Sequence, residues 1–194
     1  MAGKFKKRGK QMKFEEQEAE ACIRATATLY QSVRSQLLHL PATEHGMRPN
    51  GEWTKKEIVG HCCDGTAANL QRVVRAQYEE SPPRSVYNQA EWVRIQNYSL
   101  YDWPDLVDYW FLGNKHILHI YKNMPLPAWS SRIVWGSEER SALWFFHHHF
   151  VRHTLGHLEE MLLEPIVIPD TIPQFDMAGN KIILPEVVAE PPGE

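Results

Sequence analysis

Apolar residues recur with helical spacing in four separate stretches of the chain. In the first, Ile23, Tyr30, Val33, Leu37 and Leu40 step by seven, three, four and three, one face of a helix that starts near Phe14 and that Pro41 ends. Thr54-Lys55-Lys56-Glu57 has the capping-box form, in which hydroxyl and carboxylate satisfy the orphan N–H groups of a helix start. A second helix therefore runs from Thr54 to about Glu79, ahead of Ser81-Pro82-Pro83. The third carries Leu106, Trp110, Gly113, Ile117 and Ile120, with Pro104 suited to its first turn and Pro125 and Pro127 beyond its end. For the fourth, Ser137 followed by Glu138 and Glu139 offers a cap and an acidic first turn, and Pro165 breaks the helix after about Glu164.

Four amphipathic helices make an all-α four-helix bundle the most economical architecture. The stretch of about 20 residues between the second and third helices is long for antiparallel neighbours and suits an overhand crossover, which lets those two helices run parallel. Residues 1–13 read as a flexible basic arm, because Lys4, Lys6, Lys7, Arg8, Lys10 and Lys13 all precede the first acidic residue, Glu15. The bundle spans 14–164. Residues 165–194 form a Pro-rich extension in which Asp176 to Asn180 looks like a turn between two short apolar runs.

Composition narrows the class. At 194 residues and 43% hydrophobic, with 7 Trp, 7 Tyr and 7 Phe, the chain is one globular domain with a real core. A net charge of −3 excludes binding of nucleic acid by the surface as a whole. No run of about 18 apolar residues and no apolar segment after the basic start exist, so the expectation is a cytoplasmic protein with no membrane partner. Three cysteines, two of them adjacent, make no disulfide framework.

Histidine carries the chemistry. Six of the 10 histidines are His61 and the group from His147 to His157. On the fourth helix, Phe146, Phe150, His153, His157 and Met161 fall on one stripe, so two imidazoles occupy core-facing positions where their nitrogens need partners. His61 joins them from the second helix, on a face shared with Ile58, Gly65 and Ala68. Three imidazoles with open positions are the coordination of a catalytic divalent metal; hydrogen-bonded core histidines are the alternative. His147 and His148 lie off the stripe and are expected at the surface or between helices. His149 is a pocket-lining candidate, His116 and His119 stand where either could reach the cavity, and Asp64 is placed to orient an imidazole or hold a water, a solvated carboxylate being the alternative. Cys62 and Cys63 are rotated away from His61, and no serine or cysteine nucleophile motif is present.

These residues resemble a known family. Trp53-Thr54-Lys55-Lys56-Glu57-Ile58-Val59-Gly60-His61 with Asp64, Asn69, Gln71-Arg72 and Arg75-Ala76-Gln77 is similar to the helix-two signature of the DinB-like superfamily, also called the YfiT-like putative metal-dependent hydrolases. Glu91-Trp92-Val93-Arg94 with Gln96-Asn97-Tyr98 resembles the crossover of one branch, and His153-Thr154-Leu155-Gly156-His157-Leu158-Glu159 the helix-four metal motif. The resemblance covers roughly residues 14–164. It implies an up-down-down-up bundle and one divalent ion, zinc or nickel, held by His61, His153 and His157. The chain departs from the family at Cys62-Cys63, where two aliphatic residues are common, and at Gly156, where many relatives carry another histidine.

The function this implies is a metal-dependent enzyme, a thiol S-transferase or a hydrolase acting on a small molecule. The expected partners are that substrate, a low-molecular-weight thiol, and a second copy of the chain in a homodimer. No side chain is assigned a catalytic role, but Asp64 and His149 are the candidates for proton handling, and Trp92 and Gln96 for the substrate pocket. A non-catalytic metal- or ligand-binding protein is the alternative, and nucleic-acid association through the basic arm is the least favoured reading.

Overall fold

The computed structural model describes residues 3–79, 87–135, 138–172, 174–175 and 181–182, with side chains in 17–79, 87–134 and 139–172. Helix α1 (Gly3–Leu38) leads into α2 (Lys55–Arg75), and a crossover containing the short α3 (Gln89–Gln96) leads to α4 (Trp103–Asn123). An antiparallel hairpin of β1 (Arg132–Trp135) and β2 (Glu138–Ser141) precedes one continuous helical run. That run consists of α5 (Ala142–Phe145), a π-helical segment (Phe146–His153) and α6 (Thr154–Leu162). In the tail, β3 (Gln174–Phe175) pairs antiparallel with β4 (Lys181–Ile182), flanking the expected turn at 176–180, which lies outside the described residues.

Side-chain contacts fix the helix directions. Lys56 on α2 reaches the carbonyl of Tyr101, just before α4, and Thr66, ten residues on, faces Gly113, so α2 and α4 run parallel. Trp103 donates to the Leu37 carbonyl at 2.9 Å, while Tyr30 packs on Trp110 at 5.3 Å, so α1 and α4 are antiparallel. His61 faces His157 and Arg72 faces Phe145, which makes the last helix antiparallel to α2. The result is the up-down-down-up bundle. Its core is aromatic: Tyr30, Trp110, Tyr121, Phe145, Phe146 and Phe150 are fully buried, and Tyr30 donates its hydroxyl to the Phe150 carbonyl at 2.6 Å.

Local chemistry explains most boundaries. Thr54 and Glu57 form the expected capping box, with the Thr54 N–H donating to the Glu57 carboxylate at 2.7 Å. Asp102 caps α4, with Pro104 in the first turn. Two boundaries differ from the sequence pattern. Helix α1 continues back through the basic segment to Gly3. The last helix starts at Ala142 rather than after Ser137, because residues 138–141 are committed to the β-hairpin; Ser141 is the cap, accepting from the Trp144 N–H at 3.1 Å. Ser137 itself lies outside the described residues.

The crossover is seated on α2 at four-residue intervals, the spacing of one helix face. Lys56 Nζ donates to the Tyr101 carbonyl at 2.6 Å, the Tyr98 ring lies flat against Gly60, and Asp64 accepts from Tyr98 Oη at 2.7 Å and from Gln96 Nε2 at 2.5 Å. A Cβ on Gly60 would stand 2.1 Å from the Tyr98 ring, so only glycine admits that approach. Gly60→Ala should therefore lower stability by about 2 kcal/mol or more, the scale of overpacking in a tight core. A thermal melt within 1 °C of wild type, by circular dichroism, would show instead that the ring is not seated there.

Candidate metal centre

Helix α2 is buried on nearly every side, yet it carries His61, Asp64, Asn69 and Arg72, each at most 9% exposed. Polar groups in such a place need partners. His61 is held by Trp53, whose ring centroid is 4.9 Å away, and its Nδ1 is buried with no hydrogen-bond partner. Opposite stand His157, with ring centroids 4.9 Å from those of His61, and His153, at 6.5 Å. The His153 and His157 rings are 4.6 Å apart. The three sequence-predicted ligands thus converge from two antiparallel helices.

Imidazoles sharing one divalent ion at N–metal distances of about 2.1 Å have ring centroids roughly 5 Å apart. Two of the three separations match this spacing, and the His61–His153 pair must close by an ångström or more. Accordingly, among the described residues no three His, Cys, Asp or Glu side chains already stand as a finished ligand set. The orphaned His61 nitrogen and the ring spacing fit a divalent ion.

The π segment sets which histidines take part. Its wider turn follows a different angular period from the α-helix, so the buried stripe extrapolated at 3.6 residues per turn does not persist through it. Phe146, Phe150 and Met161 are buried as that stripe expects, but His153 is exposed and His157 half-buried, the buried positions beside them being Thr154, Leu155 and Leu158. The site therefore opens to solvent along the His153 edge instead of lying sealed in the core. The same segment sets His149 edge-to-face with His153, their ring centroids 4.8 Å apart.

The other histidines lie between helices or at the surface. His147 is buried, with Nδ1 3.8 Å from Cys22 Sγ, because the widened turn rotates it inward against α1. His148 is half-buried and stacks on Trp144 at 4.4 Å. His116 and His119 are exposed on α4 and do not reach the cavity. Asp64 neither orients an imidazole nor sits in solvent: it is 2% exposed, its Oδ1 serves the crossover and its Oδ2 has no partner. Gln96 is spent on that bond, while Trp92 packs against Tyr87 at 4.6 Å on the outer side of the crossover.

Sequence reasoning missed Tyr98, Tyr87 and Arg72 as parts of the site. Arg72 had a signal: eleven residues beyond His61, it is the next member of the His61, Gly65, Ala68 stripe.

Burial sets the electrostatics. Desolvation holds His61 down to about 4, helped by His157 and His153, while His153, with one edge in solvent, is moved in the same direction by its covered side and by His157. His149 falls to about 3 through desolvation, with smaller contributions from His153 and Arg72. His157 is also lowered by desolvation, against the pull of Glu160. All four rings are neutral at pH 7, the form that binds metal. The buried Cys62 thiol is pushed up to about 12 and Cys63 well above its ordinary range, so neither is a thiolate nucleophile.

No family model matches the chain, and no curated protein matches it. Its fold is found in solved structures. The crystal structure of the mycothiol-dependent maleylpyruvate isomerase superposes with a TM-score of 0.64 at 16% identity, over 79% of this chain and 65% of that one. A histidine-to-alanine mutant of that enzyme matches with the same score at 15% identity. The chain thus spans about two thirds of the length of these neighbours, and at such identity the likeness is one of fold. The fold implied by the DinB-like resemblance is the one present. Among the described residues no helix is long and apolar enough to cross a membrane.

The depressed imidazoles predict a pH dependence. A histidine whose folded pKa lies below its unfolded value of about 6.5 contributes nothing above that pH and destabilises the fold as pH falls, because the unfolded chain takes up the proton first. Metal-free protein should therefore lose stability from about pH 6.5 down towards pH 4, and His61→Gln should flatten the loss. Equal slopes in melting temperature against pH for the two proteins would contradict the burial of His61.

Proposed function

We propose that the chain is a metal-dependent enzyme that uses a low-molecular-weight thiol on a small electrophilic substrate, with zinc or nickel held by His61, His153 and His157. The observation that carries the reading is the convergence of three neutral imidazole rings, one of them the buried His61 whose Nδ1 has no hydrogen-bond partner. Thiol chemistry is preferred to hydrolysis because the protein with the same fold is named for its dependence on mycothiol. A divalent ion held there supplies Lewis acidity, lowering the pKa of a thiol or water at its open face.

The chain's own residues do the rest. His149, neutral and one turn from His153, is the group placed to take the proton that the thiol gives up. Trp53 packs against the His61 ring at 4.9 Å. Asp64 is a positioning residue: through Tyr98 and Gln96 it holds the crossover beside the site, and Trp92 with Tyr87 forms the aromatic wall at which substrate enters. The exposed edge of His153 is the solvent-facing side.

Each of His61→Ala, His153→Ala and His157→Ala should remove most of the metal, since two imidazoles seldom hold a divalent ion against water. His148→Ala should leave the metal content unaltered. Full occupancy in His153→Ala, by elemental analysis of protein purified without chelating resin, would overturn the ligand set. Chelation should abolish thiol-transfer activity and added zinc or nickel restore it. Turnover that survives both exhaustive chelation and His157→Ala would place the chemistry elsewhere.

A further inference from the structure

The α1–α2 connection, the start of α2 and the end of the crossover enclose a cavity of about 350 Å³, lined by Ala42, His45, Gly46, Thr54, Lys56 and Ser99. That volume lies at the lower end of the range of small-molecule sites, about 300–1,000 Å³. Thr54 is buried, His45 and Lys56 are half-buried, and the exposed Ala42, Gly46 and Ser99 form the rim. The cavity is separate from the histidine cluster. Lys56 precedes His61 by five residues, which on an α-helix is roughly 140° round the axis.

One charge in this cavity is unanswered. Of Arg48, Lys55 and Lys56, which stand together at this end of the bundle, Lys55 is paired with Glu44 at 2.7 Å and Arg48 with Glu57 at 3.7 Å. Among the described residues no carboxylate pairs with Lys56, whose ammonium donates to the carbonyls of Tyr101 at 2.6 Å and Ser99 at 3.4 Å. An ammonium has three N–H groups, so those bonds hold Lys56 in place and leave one donor and the whole charge over. A side chain already fixed loses little freedom on meeting a ligand.

The other groups narrow the ligand further. Thr54 is spent on the capping box, its hydroxyl donating to the Glu57 carboxylate at 2.9 Å and accepting from the Glu57 N–H at 3.2 Å, so it offers the cavity its methyl group. The Ser99 hydroxyl donates to Asn97 Oδ1 at 3.2 Å. His45 Nε2 bonds the Leu40 carbonyl at 3.1 Å, and the ring is braced by stacking on Trp103 with centroids 4.3 Å apart. One fixed ammonium beside small apolar groups and a ring matches one negative charge on a compact body.

We propose that this cavity is a second small-molecule site, which takes a compact monocarboxylate with its anionic end on Lys56. The remaining ammonium N–H makes a charge-assisted hydrogen bond to the carboxylate, and the body of the ligand fills the space bordered by Ala42, Thr54 and His45. Because Lys56 also carries the end of the crossover, the occupied site ties that end to the α1–α2 connection. The site stands independently of the metal reading, since it uses none of the three metal-binding histidines.

The full chain, labelled with nitrogen-15, is titrated with butanoate and benzoate, with the matching amides and with inorganic phosphate, and backbone amide shifts are followed by nuclear magnetic resonance. The better of the two acids should bind at least tenfold tighter than its amide and tighter than phosphate, with the shifts centred on Ala42, Gly46, Lys56 and Ser99. Lys56→Met should erase the preference for acid over amide, and Lys56→Arg should keep part of it. Ala42→Phe, at an exposed position on the rim, should weaken both acids by filling the cavity. Equal binding of acid and amide, or phosphate binding tighter than either acid, would overturn the monocarboxylate assignment. The absence of saturable shifts with both acids, or shifts centred on His61 and His153, would overturn the site itself. Should Lys56→Met fail to fold, the wild-type comparison of acid with amide, together with Ala42→Phe, still decides.

Discussion

Enclosure of α2 by the other elements is the constraint on which the rest of the structure depends. A helix packed by α4, by the crossover and by the last helix has almost no free face, so each of its polar side chains must be answered by something specific. Asp64 is answered by Tyr98 and Gln96, and Asn69 by Arg72. His61 Nδ1 is left without a protein partner, although the loss of a hydrogen bond at a buried polar atom costs about 1–3 kcal/mol. Asp64 Oδ2 on the same helix is also left without a partner, so the histidine end of α2 carries unanswered polar atoms, and that is the physical reason to read it as a place for a ligand.

Packing and chemistry are joined at one helical turn. Gly60 admits the Tyr98 ring, Tyr98 delivers its hydroxyl to Asp64, and His61 lies between those two residues on the next face. The crossover is long enough to link parallel helices, and the same length carries the Tyr87 hydroxyl over Gly65 of α2, with Trp92 packed behind it. The up-down-down-up order is thus more than a topological label, since it places a mostly irregular segment beside α2 where a short antiparallel turn could not reach.

The π segment performs a comparable service on the other wall. A π-helical turn sacrifices regular α-helical hydrogen bonding, and such turns occur often at functional sites. Here it sets His149 edge-to-face with His153, turns His147 inward to Cys22, and offers the Phe150 carbonyl to Tyr30.

Much of this was legible in the chain itself. The apolar steps on α1 and α4, the Thr54–Glu57 box and the long crossover determined the bundle, because helix periodicity and capping are local properties of neighbouring residues. The spacing of His153 and His157, and the place of His61 among small residues, likewise pointed to the cluster before any coordinates. Tertiary structure decided what depends on partners distant in sequence. Only pairing with residues 132–135 shows that 138–141 form a strand and that Ser141, not Ser137, starts the last helix. Only the widened π turns reveal that His153 is exposed, since a pattern extrapolated at 3.6 residues per turn drifts out of register by the end of a segment with a different period. The burial of Asp64 and Arg72 was equally invisible, because sequence gives a residue its charge but only the packing of other helices takes away its water.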